Sequence, residues 1–202
     1  DRAVCQHHWR PVRARRAREG PRDAPARQRT LRATLDWSYR LLDVPVQAAF
    51  AALAVFAGGF SLDAAGDVLG AGGALVPTLG ALVDASLVRR VGAGASPRFA
   101  MLETVREYAL ERLRGASSRA EHAGRHAMHF AALAERAEAE VLANDFEEIF
   151  RVLDEDRDNL RAALDWAAEA DDVELEARLV VGLRWYWVIR GHLREGRQVL
   201  DA

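Results

Sequence analysis

The sequence predicts a mainly α-helical chain: a winged-helix domain with a short β-hairpin, followed by an antiparallel, tetratricopeptide-like helical array. Three observations carry this expectation. Apolar residues recur every three or four positions over most of residues 30–202, the spacing of one helix face. That period breaks at SLVRRV, GAGAS and PRFAML (86–102), where two short runs flank a Gly-containing turn, as in a hairpin. Several helices precede this break, and helices alone follow it.

Residues 1–29 read as a basic linker or the remnant of an upstream domain. Pro11, Pro21 and Pro25 interrupt them, and few apolar residues recur. Residues 1–32 hold ten arginines against three acids; residues 33–202 hold eighteen against twenty-seven, and the chain has no lysine. The basic head suits nucleic acid or an acidic partner. The acidic body argues against broad phosphate binding.

Thr30 is placed to cap a first helix, TLRATLDWSYRLL, with Leu31, Leu35, Tyr39 and Leu42 on one face. Pro45 suits the first turn of PVQAAFAALAVF, which would bury Phe50, Leu53 and Phe56 before Gly58 and Gly59 end it. Ser61 caps a third helix. VPTLGALVDASL makes a fourth, with Leu75, Leu79, Leu82 and Val83 inward. After the hairpin, ETVREYALERL is helical again. The winged-helix domain is placed at 30–116.

Residues 117–202 read as the start of the helical array. SRAEHAGRHAMHFAALAERAEAEVL is long and amphipathic. FEEIFRVLDEDRDNLRAALDWAAEA is two helices or one bent one. VELEARLVVGLRWYWVIR follows, and HLREGRQVL opens another helix. The heptads LRATLDW and LRAALDW place Arg32 four residues from Asp36 and Arg161 four from Asp165, spacing that can brace a solvent-facing edge. Trp37 and Trp166 are expected as packing anchors. So is Trp185, in an inward stripe with Val181 and Ile189.

Catalytic patterns are missing. There is no HExxH, no GxSxG and no GxxxxGK[ST] phosphate loop. Cys5 stands alone, and His122 with His126 lacks a sufficient ligand set. The acidic run Asp154, Glu155, Asp156 and Asp158 reads as a solvated helix face. The chain is therefore expected not to be an enzyme, and to hold no cofactor or metal. Its longest apolar run, AAFAALAVFA, is too short for a membrane span, so a soluble, cytoplasmic protein without membrane contact is expected.

Arg89, Arg90 and Arg98, on or near the wing, are candidate interaction residues, as are Trp187 and Arg190. The fourth helix offers no basic or amide side chain, the types that read base edges. DNA contact by this segment is therefore not expected. A direct DNA-binding role, aided by Arg13, Arg15, Arg16 and Arg18, stands as the alternative, beside a protein-interaction scaffold.

The stretch TLRATLDWSYRLLDVPVQAAFAALAVFAGGFSLDAA, with LVDASLVRR, RFAMLETVREYALERL, DRDNLRAALDWA and RGHLREGRQVL, resembles AfsR- or MalT-like bacterial transcriptional regulators of the signal-transducing (STAND) NTPase class. The resemblance covers residues 27–202. It implies a regulatory segment that couples a helical sensor to a nucleotide-binding domain by intramolecular docking. ATP or ADP would bind that other domain, and a protein or small-molecule effector would bind the array. The family's Met-His-Asp stretch corresponds here to Met101, Leu102 and Glu103. Leu102 lacks the imidazole donor, leaving Glu103 as a helix cap or a contact to the nucleotide domain.

Overall fold

A computed structural model describes residues 26–70, 74–92, 97–114, 119–143, 146–192 and 196. The basic head through residue 25 and most of the expected final helix lie outside the described residues. Helix α1 spans Ala26–Arg40, so Thr30 sits inside it and does not cap it. The residues before Thr30 carry neither Gly nor Pro after Pro25 and propagate the helix backwards. Leu35 is buried, and Tyr39 and Leu42 pack against the core. Trp37 lies roughly 200° around the helix from Leu35. It is 65% exposed, which corrects its expected role as an anchor. The expected Arg32–Asp36 brace is also replaced. Arg32 pairs with Glu111 at 2.6 Å, while Asp36 accepts from the Tyr108 hydroxyl at 2.6 Å and from Arg112 at 2.7 Å.

Helix α2 (Val44–Ala52) carries Pro45 in its first turn, where a missing N–H is harmless. A 3-10 turn at Leu53–Val55 continues it. Phe50, Leu53 and Phe56 are buried. The chain then forms a strand, β1 (Gly59–Ser61), where the sequence suggests only a helix end. The Ser61 hydroxyl accepts the Ala64 N–H at 3.1 Å and starts α3 (Leu62–Leu69). Gly70 ends α3 at φ 60, a left-handed conformation that glycine adopts without a Cβ penalty.

Helix α4 (Leu75–Asp84) buries Leu79 and Leu82. Strands β2 (Arg89–Val91) and β3 (Arg98–Ala100) follow. They make a three-stranded antiparallel sheet with β1, in the order β1-β3-β2. Phe99 stands opposite Phe60 on one side and Arg90 on the other. Helix α5 (Glu103–Arg114) closes this unit. Helix, strand, two helices and hairpin is the winged-helix order.

Helix α6 (Arg119–Leu142) is the hub of the rest. It packs against α3 and the 3-10 turn, and against α7 (Glu147–Glu155), α8 (Arg157–Glu169) and α9 (Val173–Ile189). The segment FEEIF to AAEA is thus two helices that meet at Asp156. A Cβ on Gly182 would stand 2.6 Å from the Ala134 carbonyl carbon and 2.7 Å from its oxygen, so α9 crosses α6 almost backbone on backbone. One apolar core runs from Leu35 to Trp187 through both units.

That crossing decides which aromatic turns inward. Leu179, Leu183, Tyr186 and Trp187 share the buried face with Gly182. Val181, Trp185 and Ile189 are 48%, 37% and 46% exposed, so the expected inward stripe is on the wrong side. Trp166 is half-buried, its ring lying over Gly124 of α6.

Candidate nucleic-acid interface

Helices α3 and α4 follow one another ahead of the wing, and the α4 face opposite Leu79 and Leu82 is open. Val76 is 66% exposed, and Pro77, Gly80 and Asp84 are exposed beside it. Apart from Asp84 this face is small and apolar, with no basic or amide donor. The wing supplies charge instead. β2 is an outer strand of the sheet, and Arg89 and Arg90 are both exposed on it. Neither has an ion-pair partner among the described residues. Successive strand residues point to opposite faces, so the pair presents charge on both sides of the wing.

Arg98, grouped with them on the sequence, does something else. Its guanidinium grips Asp156 with two hydrogen bonds, at 2.7 and 3.1 Å. It also donates to the Gly59 carbonyl at 3.3 Å and approaches Glu155 at 3.6 Å. The side chain is 15% exposed and that of Asp156 is 7%. Burial opposes the charge of Arg98, but the hydrogen bonds and charge of Asp156 outweigh it and hold the guanidinium above its ordinary pKa. Asn159, 1% exposed, completes the cluster. Its amide nitrogen donates to the Gly59 carbonyl at 2.8 Å and to Asp156 at 2.9 Å; its oxygen accepts the Ala57 N–H at 2.8 Å. His126 lies 3.5 Å from that oxygen. Burial drives the His126 imidazole pKa down to about 4, with Asn159 opposing the shift.

These contacts correct the solvated reading of the acidic run. Asp156 is buried, and Asp154 accepts from the Tyr186 hydroxyl at 2.7 Å and pairs with Arg190 at 3.0 Å. Of the candidate interaction residues, Arg190 is thereby engaged and also lies over the Phe150 ring, while Trp187 is 6% exposed in the core. Glu103 is exposed in the first turn of α5, where it holds Arg106 at 3.2 Å. Leu102 stands at the cap position, its carbonyl accepting the Val105 and Arg106 N–H groups at 2.9 Å, and Glu103 lies one residue inside the helix.

A cleft of about 220 Å³ opens between the 3-10 turn, α5, α6 and α8. Trp166 and Leu113 give it apolar lining, and Arg106, Arg119, Asp165 and Glu169 give it mixed charge; among the described residues no Ser, Thr or Cys lines it. No group of three His, Cys, Asp or Glu could hold a metal ion among the described residues. No helix among them is long and apolar enough to cross a membrane.

Residues 42–114 match the winged helix-turn-helix domain family. Those residues hold the strand, helices and hairpin in the winged-helix order described above. Over 182 residues, 88% of the chain, it is 41% identical to a provisionally named HTH-type transcriptional regulator of Mycobacterium tuberculosis, Rv0890c, and equally to its Mycobacterium bovis counterpart, Mb0914c. An uncharacterized protein of Mycobacterium tuberculosis, Rv0894, is 39% identical over 92 residues, 43% of the chain and 23% of that protein. The chain spans about a fifth of the length of the two regulators, at 20%. No solved structure matches.

The match overturns the expectation that this segment avoids DNA. That expectation rests on a donor-free fourth helix, an acidic body and a wing with few arginines. A winged helix also offers its wing, and phosphate contacts there need only exposed cations such as Arg89 and Arg90. An apolar helix face can meet thymine methyl groups without donating a hydrogen bond.

Proposed function

We propose that this chain is the DNA-contacting winged helix-turn-helix segment of a longer transcriptional regulator working in the cytoplasm. The exposed Arg89 and Arg90 of β2, which have no ion-pair partner among the described residues, carry the reading. They act as phosphate contacts that position the module, and Val76, Pro77 and Gly80 of α4 lie against the groove. Arg13, Arg15, Arg16 and Arg18 of the basic head add electrostatic attraction. The unit boundary is set at 116/117, with α6 starting the array. Fluorescence anisotropy with a labelled duplex tests this. The 202-residue chain should bind, and affinity should fall steeply as salt rises. Folded protein giving flat curves at low salt would end the proposal.

The donor-free face of α4 favours a further role in the same regulator. It suits docking on a nucleotide-binding domain elsewhere in a longer protein, with ATP or ADP bound there and the array as sensor. Val76→Arg in the full-length regulator should then change its nucleotide exchange rate. An unchanged rate would remove this second role and leave the DNA reading standing.

A further inference from the structure

We propose that Asp156 and Asn159 are positioning residues for the wing: through Arg98 and Gly59 the helical array sets where Arg89 and Arg90 stand. The proposal rests on the reading of DNA contact through the wing.

The geometry is specific. Arg98 opens β3 at the wing end and stands opposite Val91, the last residue of β2. Gly59 opens β1 and stands opposite Ala100. Both outer strands are therefore tied through β3. Two residues from a single corner of the array, where α7 meets α8, hold both starting points of the sheet. Asp156 takes Arg98 across 58 positions of sequence, and Asn159 takes Gly59 across 100 and Ala57 across 102. The Gly59 carbonyl receives both Arg98 and Asn159, so the two ties share one atom.

The corner is also a joint. Asp156 has φ −105 and ψ 13, outside helical geometry, between two helices. A change in the angle between α7 and α8 must displace its carboxylate and drag Arg98 with it. The continuous apolar core already holds the two units together. A buried ion pair adds little net stability, because desolvation offsets its attraction, but it does demand one geometry. Being buried, it is screened far less by salt than the phosphate contacts. The two effects therefore separate experimentally.

The test uses the 202-residue chain with Asp156→Asn, Asn159→Ala and the conservative Arg98→Lys, read by hydrogen exchange and DNA anisotropy. Wing amides at 89–91 and 98–100 should exchange about tenfold faster in the first two variants, with α9 amides unchanged. The dissociation constant for duplex DNA should rise about 5- to 10-fold, with the slope of log affinity against log salt unaltered. Arg98→Lys should fall between these variants and the unaltered chain. Wild-type wing exchange in folded Asp156→Asn and Asn159→Ala would overturn the proposal. So would unfolding of all three variants, since the cluster would then hold the fold itself. If the unaltered chain binds no DNA, the function proposed above fails, and exchange at the wing alone decides the clamp.

Discussion

Gly182→Ala and Gly80→Ala are the same substitution in two helices, and the structure predicts opposite signs. Glycine inside a helix is worth about 0.8–1.0 kcal/mol less than alanine, so both changes begin with that gain. At Gly80, on the open face of α4, an added Cβ meets nothing within 4 Å. The full gain should appear. At Gly182 the new Cβ would stand 2.6, 2.7 and 2.8 Å from the Ala134 carbonyl carbon, its oxygen and the Ala134 Cβ. Two of those atoms are backbone and cannot rotate away, so α9 must lift off α6. Overpacking of this kind costs about 1–3 kcal/mol. Parting the central helix pair puts the expected cost at the upper end. The net expectation is a loss of about 1–2 kcal/mol for Gly182→Ala and a gain of about 0.5–1 kcal/mol for Gly80→Ala. For a chain this size, 1 kcal/mol moves Tm by roughly 2–4 °C. Calorimetry should show Tm falling in one variant and rising in the other. A Tm at or above the starting value for Gly182→Ala would refute the close crossing.

Other outcomes follow from burial and charge. Trp37→Ala should change stability by less than about 0.5 kcal/mol, because the ring is 65% exposed. Phe56→Ala, at 1% exposure, should cost about 3–5 kcal/mol in urea titrations. His126 is neutral in the fold, its pKa held near 4 by burial against an ordinary 6.5. The unfolded chain takes up this proton first as pH falls, so the contribution is complete above pH 6.5 and drains away down to pH 4. On the order of 3 kcal/mol is at stake. Melts from pH 7 to 4 should show the decline, and His126→Leu should flatten it; an equal slope in that variant would locate the proton elsewhere.

Local signals in the sequence are legible where one residue decides the structure. Ser61 caps α3, Pro45 opens α2, and the Gly-rich break marks the wing. Leu79 and Leu82 face inward because their spacing matches one helix face. Strand β1 is three residues long, too short to show an alternating pattern, and it exists because β3 is there to pair with it. Tryptophan placement is illegible for a related reason. Size alone makes Trp37 and Trp185 look like anchors, whereas Leu35 and Gly182 determine which faces turn inward. The candidate site shows the sharpest division. Arg89, Arg90 and Arg98 look alike on the chain, yet Arg98 is taken by Asp156, 58 positions away. An acidic run gives no hint that one of its members is buried. The role of the wing is easily underestimated when its arginines are only counted, since the sequence does not show which of them stay exposed.

The most direct test of the account is the salt dependence of duplex binding by the chain carrying both Arg89→Ala and Arg90→Ala. If the wing arginines touch phosphates, the slope of log affinity against log salt should become shallower by about 1 for each arginine removed, about 2 in all. Affinity should weaken alike for unrelated duplex sequences. An unchanged slope and affinity in a folded double variant would contradict the account, because DNA would then be held by some other surface of the chain.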